Sequence, residues 1–178
     1  MRRVVWLILP VVLGGIGHVV VLRTDVLRSL AVPLDGGARF RGRPVFGANK
    51  TWRGMVVMTG STALAGGAQA ALGRRLHWRF AMEVQRSARV KAWVAGAICG
   101  ASYVVAELPN SFIKRRLGIA PGARAVRRGR LQYLVDQADS VAGCLIALRL
   151  LYGSSRAELL TAFGLGLAIH AAIDAARA

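Results

Sequence analysis

Acidic residues are scarce in this chain, where eight Asp and Glu stand against 25 Lys and Arg, giving a formal net charge of +17 over 178 residues. The two cysteines, Cys99 and Cys144, both lie in apolar runs and are expected to pack as small hydrophobic residues. His18, His77 and His170 are far apart and lack metal-ligand spacing. The GxxxxGK[ST] spacing of a P-loop is missing, and no Ser/His/Asp or Cys/His grouping is visible. These absences argue against P-loop nucleotide binding and against triad-type nucleophilic catalysis.

Hydrophobic residues make up 54% of the chain and the mean hydropathy is +0.45. A soluble protein of this length would need too large a core, and a nucleic-acid binder would not separate its charge by long apolar runs. Basic and apolar residues alternate in blocks, which is typical of a multi-pass membrane protein with basic loops. The first run, from Val4 to Leu22, has no clear small-residue cleavage site and is therefore expected to be a transmembrane helix rather than a signal peptide.

Apolar stretches near the length needed to cross a bilayer occur five times. The chain is therefore predicted to be all-α, a single integral-membrane domain over residues 1–178 built as a bundle of about five transmembrane helices. The second and third spans are rich in Gly, Ala and Ser, which allows close helix packing and permits a homodimer without requiring one. The predicted spans are Val4–Leu22, Met55–Gly73, Val90–Leu108, Val135–Tyr152 and Leu159–Ala176.

Basic residues outside the spans set the expected orientation. The loops 23–54 and 109–133, together with Arg177, carry fifteen Lys and Arg on one side, against nine on the side of the N-terminus. The excess predicts that the first side is cytoplasmic and that the N-terminus is outside. Six basic residues in segment 74–91 weaken this contrast.

Three of the eight acids, Glu107, Asp136 and Asp139, lie at or inside predicted span ends on one side of the membrane. A carboxylate there is usually paired, hydrated or metal-bound. Asp136 and Asp139 are at i and i+3, so a helix places them on one face. Together with Glu107 they suit Mg²⁺, which prefers carboxylates, substrate phosphates and water. The alternative is that these acids pair with arginines of a neighbouring loop.

Two clusters of donors lie on the same side as the carboxylates. Lys114-Arg115-Arg116, preceded by Ser111, follows the third span and suits a polyphosphate. Such a cluster is also a common topology signal or a binder of anionic headgroups. The segment 47–54, GANKTWRG, offers donors for phosphates or a base edge between two glycines, although its tryptophan is also typical of an interfacial anchor. Cations beside paired carboxylates make a membrane protein that handles a nucleoside triphosphate the hypothesis to test.

The same residues resemble a known family. Leu34-Asp35-Gly36-Gly37 and the segment 43–54 look like the first cytoplasmic region of CDP-archaeol synthases, and segment 111–122 looks like the second. Asp136-Gln137-Ala138-Asp139 matches the aspartate pair that this family shares with CDP-diacylglycerol synthases. The resemblance covers residues 30 to 145, and the five-span layout agrees with it.

The resemblance implies a cytidylyltransferase that joins CTP to a membrane lipid phosphate, either an archaeal-type ether glycerol phosphate or phosphatidate, and releases pyrophosphate in a reaction that uses Mg²⁺. The active site would face the cytoplasm at the edge of the bilayer. Roles follow position by position. Asp136 and Asp139, with Glu107, would hold the metal; Lys114 and Arg115 would be catalytic phosphate binders beside Ser111; and Asn49, Lys50 and Thr51 would help to bind CTP.

One position departs from the family pattern. Family members usually show Gly-Asp-Leu ahead of the serine, whereas this chain has Ala106-Glu107-Leu108 followed by Pro109. Glutamate keeps the charge but is one methylene longer, and proline restricts the backbone. A shifted metal geometry, another lipid substrate or weak activity would each be consistent with this change.

A non-enzymatic membrane protein is the alternative class, either a carrier or a scaffold that binds anionic lipids through its basic loops. A scaffold does not need two aspartates at helical spacing beside Lys114, and a carrier often shows inverted repeats, which are not evident here. A related CDP-alcohol enzyme is disfavoured because Asp35-Gly36-Gly37-Ala38-Arg39 departs from the spacing of that motif, and is more simply a turn.

Overall fold

A computed structural model describes residues 1–123 and 129–175 of the chain. Six α-helices and a short two-stranded antiparallel hairpin form the described part, which confirms the all-α membrane fold. Arg124, Arg127, Arg128, Ala176 and Arg177, which entered the span and charge predictions, lie outside the described residues. The elements are α1 (Arg2–Arg23), a 3₁₀ turn (Arg28–Leu30), β1 (Arg39–Phe40), β2 (Arg43–Pro44), α2 (Trp52–Arg75), α3 (Arg79–Ser87), α4 (Ala92–Arg116), α5 (Gly129–Tyr152) and α6 (Arg156–Ala175).

The five predicted spans correspond to α1, α2, α4, α5 and α6, although α5 begins at Gly129, six residues before the predicted start of its span. In the described part of the chain, α1, α2 and α4 are long and apolar enough to cross a membrane by length and composition. The other two helices pack into the same bundle. Helix α5 is more polar because its first half carries Gln132, Asp136, Gln137 and Asp139, the polar residues that make it a candidate for function.

Helix α4 continues two turns beyond the predicted end of the third span. Lys114, Arg115 and Arg116, which the sequence analysis placed in a loop after the span, form the last helical turn, so that expectation was wrong. Pro109 lies inside the helix, where it lacks the N–H of an ordinary helical residue, but it is exposed. The extension carries basic side chains at the helix C-terminus, where the macrodipole favours positive charge.

Helix α3 was not predicted, since segment 74–91 had been treated as a basic loop. The helix is short and has few apolar residues, but these recur at helical spacing. Ala81 and Val84 are buried against the bundle. The side chain of Gln85 donates to the backbone oxygen of Ala70 in α2, which ties the short helix to its predecessor.

Small residues bring the long helices into close contact, as expected. A Cβ on Gly66 of α2 would lie 2.8 Å from the backbone oxygen of Ala92, and one on Gly100 of α4 would lie 2.7 Å from that of Met58. A Cβ on Gly143 of α5 would lie 2.6 Å from the Cβ of Ala106. Helix α4 therefore packs against α2 on one side and α5 on the other with almost no space for larger side chains.

The bundle has two distinct ends. At one end, α1 begins beside α3 and α6, where Arg3 pairs with Glu158 at 2.8 Å. At the other end lie the start of α2, the end of α4 and the first half of α5, together with the connection 24–51. This second end holds every site residue predicted from the sequence.

Asp35 organises the connection between α1 and α2, as expected for a turn. Its carboxylate accepts backbone hydrogen bonds from Gly37 at 2.9 Å and from Phe46 at 2.8 Å. Burial by itself raises the pKa of Asp35, but the backbone donors outweigh it, so the pKa lies below its ordinary value. The connection ends at Thr51, whose hydroxyl caps α2 by accepting from the backbone N–H of Gly54 at 3.2 Å.

Candidate active site

An asparagine on α4 holds the two aspartates of α5. The side-chain amide of Asn110 donates to Asp136 Oδ1 at 2.6 Å and to Asp139 Oδ2 at 2.8 Å. One turn further along α4, Lys114 Nζ donates to the same oxygen of Asp136 at 2.7 Å. Predicted residues from two helices therefore meet at one place, where two negative charges face one cation and an amide.

Glu107 links three segments of the chain. Its carboxylate forms an ion pair with Lys50, the residue before the cap of α2. Its other oxygen accepts from the hydroxyl of Ser140 on α5 at 2.6 Å. That hydroxyl also lies 3.1 Å from Asp139, whose Oδ1 accepts from the backbone N–H of Ser140 at 2.6 Å. Glu107 is thus joined to the aspartate pair through Ser140.

The aspartate pair supplies carboxylate oxygens, the type of ligand atom that Mg²⁺ prefers. Two carboxylate oxygens, one from Asp136 and one from Asp139, converge on a single atom, the side-chain nitrogen of Asn110. Across residues 1–123 and 129–175, no three Asp, Glu, His or Cys side chains lie close enough to share one ion. Glu107 as a third metal ligand therefore stays a prediction, and its carboxylate contacts Lys50 and Ser140.

Arg115 is a buried cation next to the connection 24–51. Only 4% of the residue is exposed, and its Nε and Nη1 atoms are buried without a hydrogen-bond partner among residues 1–123 and 129–175. A Cβ on Gly47 would lie 3.5 Å from Arg115 Cδ, so the glycine leaves room for the arginine beside the backbone. A buried guanidinium with two such nitrogen atoms is well suited to an anionic ligand.

Arg116 has a different environment from its neighbour. It donates to the backbone oxygens of Phe40, Arg43 and Pro44, which lie in the β1–β2 hairpin. Its guanidinium also lies 4.8 Å from the ring centre of Phe112. This arginine therefore attaches the hairpin to the end of α4. Its donor groups are used by backbone oxygens, which makes it less suited than Arg115 to binding a phosphate.

The remaining predicted residues lie nearby with less defined contacts. Asn49 is exposed, one residue before Lys50. The hydroxyl of Thr51 caps α2, so this residue has a structural role in addition to the expected contact with CTP. Ser111 is 3% exposed on α4, between Asn110 and Phe112.

Sequence reasoning missed Asn110 and Ser140. Both could have been found from helical spacing, because Glu107, Asn110 and Lys114 recur at i, i+3 and i+7, and Ser140 follows Asp136 by four residues. The signal at Asn110 was hidden because segment 109–116 was treated as a loop, to which helical spacing was not applied.

An apolar cavity of about 280 Å³ lies between α1, α4, α5 and α6, with Glu107 on its wall. Aliphatic side chains such as Val11, Leu145 and Ile169 line most of it. Tyr103 of α4 and His170 of α6 share a hydrogen bond there, so His170 bonds between helices, as polar side chains inside membrane bundles commonly do. A membrane-embedded apolar space thus reaches the polar site.

Comparison with known proteins points in the same direction. A family model described as "CarS-like: CDP-archaeol synthase" matches residues 1–173. CDP-archaeol synthase from Hyperthermus butylicus is 33% identical over 124 residues, covering 69% of this chain and 61% of that protein. The Methanosphaerula palustris protein of the same name is 33% identical over 117 residues, covering 65% of this chain and 62% of the relative. The chain thus spans about three fifths of the length of these relatives.

A solved structure described as "an intramembrane enzyme for archaeal membrane lipids biosynthesis" shares the fold. It superimposes with a TM-score of 0.66 at 23% sequence identity, covering 96% of this chain and 91% of the other. At that identity the likeness supports the fold alone.

Proposed function

Because the chain belongs to the CDP-archaeol synthase family, we propose that it transfers the cytidylyl group of CTP to a membrane lipid phosphate, with pyrophosphate as the second product. The observation that carries the proposal is the meeting of Lys114, Asp136 and Asp139 around Asn110, at the end of a bundle of apolar helices. Related proteins carry the name CDP-archaeol synthase, which favours an archaeal-type ether glycerol phosphate over phosphatidate as the acceptor.

The reaction asks little covalent chemistry of the protein. An oxygen of the lipid phosphate forms a bond with the α-phosphorus of CTP, and the bond from that phosphorus to the bridging oxygen breaks, with its electron pair leaving on pyrophosphate. A phosphate monoester is already ionised near neutral pH, so no nucleophilic side chain is needed. The protein has to hold both phosphates in line and to neutralise their charge.

The site residues are assigned on this basis. Asp136 and Asp139 would hold Mg²⁺, and the charge neutralisation that it supplies suits a polyphosphate substrate. Lys114, already bonded to Asp136 at 2.7 Å, would contact a phosphate oxygen at the same place. Arg115 would supply a second cation, since its buried Nε and Nη1 lack partners among the described residues. Asn49 and Thr51 would contribute to CTP binding from the start of α2.

The placement of the site suits both substrates. The polar residues lie at one end of the bundle, where a soluble nucleotide has access, and the apolar cavity of about 280 Å³ reaches Glu107 from within the bundle. Hydrocarbon chains can remain in the bilayer and the cavity while the lipid phosphate meets CTP. Since CTP is a cytoplasmic metabolite, we assign this end to the cytoplasmic face, as the excess of basic residues also indicates.

The proposal is tested by product formation with the purified protein in detergent. Labelled CTP and Mg²⁺ are supplied with either an archaeal ether lipid phosphate or phosphatidate. Wild-type protein should form a CDP-lipid, and Asp139→Asn should form at least about a hundredfold less, because it removes a ligand and a charge from the site.

A matched variant controls for the loss of a carboxylate. Asp25→Asn removes an acid at the same end of the molecule. The carboxylate of Asp25 accepts from Arg53 at 2.7 Å and is not part of the aspartate pair, so this variant should retain activity. Failure of the folded wild-type protein to form either CDP-lipid would contradict the proposed reaction. CTP binding without turnover would favour the non-enzymatic alternative.

A further inference from the structure

The end of the bundle opposite the candidate site carries a dense cationic surface, which we call the distal basic surface. All its members are exposed, and none forms an ion pair with another residue in the described part of the chain. Glu83 is the acid within the same connection, and it is exposed as well. The surface consists of Arg74, Arg75, Arg79, Arg86, Arg89 and Lys91.

Helix α3 holds this surface in a fixed place. Ala81 and Val84 are buried, and a Cβ on Gly73 would lie 2.7 Å from that of Ala81, so α3 is packed directly against the end of α2. The backbone N–H of Arg89 donates to the backbone oxygen of Leu151 at the end of α5, at 3.0 Å. The cations are therefore carried on a segment that is attached to the bundle at both of its ends.

Tryptophans indicate the depth of this surface relative to the membrane. Trp78, at the start of α3, has its ring 5.9 Å from that of Trp6 at an angle of 66° and remains 47% exposed. Trp93, in the first turn of α4, is 55% exposed. Half-exposed tryptophans are typical of the boundary between bilayer and water. The cations of α3 and its flanks then lie at the height of lipid headgroups.

We propose that the distal basic surface binds the anionic headgroups of membrane lipids in the leaflet opposite the candidate site. Six cations with a single acid, Glu83, in the same segment repel one another, and phosphate groups would neutralise them. A lipid suits the surface better than a soluble anion, because the exposed tryptophans beside the cations offer contact for glycerol and acyl groups. The proposal does not depend on the enzymatic reaction.

Binding of lipid to the purified protein tests the proposal. Native mass spectrometry and thermal unfolding in detergent are measured with added phosphatidylglycerol or phosphatidylcholine. The wild-type protein should bind more phosphatidylglycerol and be stabilised more by it. Removal of one cation near an anionic surface is expected to weaken binding of phosphatidylglycerol about fivefold. The triple variant Arg79→Gln/Arg86→Gln/Arg89→Gln should therefore bind it at least about tenfold more weakly than wild type.

The control variant removes the same charge from the other end of the molecule. Arg23→Gln/Arg39→Gln/Arg41→Gln changes three exposed arginines without ion pairs among the described residues, and it should bind phosphatidylglycerol like wild type. Unchanged binding by the distal variant, or equal loss in both variants, would overturn the proposal. Complete competition by inorganic phosphate would also overturn it, in favour of a soluble anion. If the triple variant does not fold, the three single variants are compared in the same way.

Discussion

Lys50, at the end of the connection between α1 and α2, forms an ion pair with Glu107 of α4. Both side chains are mostly buried, with 18% and 22% exposed. Since Glu107 also accepts from Ser140 on α5, one carboxylate joins three segments that surround the candidate site. The glutamate that departs from the family pattern therefore has a defined structural partner in this chain.

Removing either member of this pair should destabilise the protein. We expect Glu107→Gln and Lys50→Met each to lower the free energy of unfolding by about 1–3 kcal/mol, because each leaves a partly buried charge without its partner. The double variant should lose less than the sum of the two, which a double-mutant cycle on unfolding in detergent measures. Additive losses would show that the two side chains are not coupled.

Asn110 is expected to position the aspartates rather than to react. Asn110→Ala removes the amide that bonds both carboxylates, and should lower kcat by about 10–100-fold with a changed dependence of the rate on Mg²⁺ concentration. Gln69→Ala removes an amide near the opposite end, where Gln69 bonds the backbone oxygen of Trp6, and should leave that dependence as in wild type. An Asn110→Ala enzyme with the wild-type response to Mg²⁺ would rule out the positioning role.

The adjacent arginines Arg115 and Arg116 should respond in opposite ways. Arg115→Met removes a buried charge whose Nε and Nη1 have no partner in the described part of the chain, so the free protein should become more stable, by about 1–2 kcal/mol, while its affinity for CTP falls. Arg116→Met should destabilise the protein, since it releases the β1–β2 hairpin from α4. Thermal unfolding and CTP titration measure both effects. A loss of stability in Arg115→Met with unchanged CTP binding would contradict the assignment of Arg115 to phosphate.

Asp35 should give the connection 24–51 a stability that depends on pH. Its pKa is lowered in the folded protein, because backbone donors outweigh the effect of burial. The stabilisation is therefore fully present above the ordinary pKa of about 4 and is lost as the pH falls through the lower folded value. Asp35→Asn should abolish this acid-side loss. Limited proteolysis of the connection in detergent, from about pH 3 to pH 7, compares the two proteins. Identical pH profiles would exclude Asp35 as the group responsible.

Much of this molecule follows from local patterns in its sequence. Long apolar runs predict the helices. Because acids are rare in the chain, Asp136 and Asp139 are conspicuous, and their i, i+3 spacing places both on one face of a helix. Lys114 was selected because it lies in a cationic cluster at a span end. The structure brings these three residues together, as a bundle of adjacent helices would.

Other features depend on contacts between distant segments. The pairing of Lys50 with Glu107 arises because the connection 24–51 folds back over α4, held by Asp35 and by Arg116, and no local pattern encodes that path. Helix α3 escaped prediction because its cations dominate its composition, while its contact with the bundle rests on Ala81 and Val84. The end of α4 was misplaced because its last turns are polar, although they continue the same helix.

The positions of the α- and γ-phosphates of CTP after the reaction distinguish cytidylyl transfer from other reactions. Purified protein receives the ether lipid phosphate with CTP labelled either at the α-phosphate or at the γ-phosphate. Attack at the α-phosphorus predicts that the α-label enters the lipid and the γ-label appears in pyrophosphate, and that Asp136→Asn and Asp139→Asn lose both signals. Transfer of the γ-label to lipid, or no transfer of either label by folded wild-type protein, would contradict cytidylyl transfer.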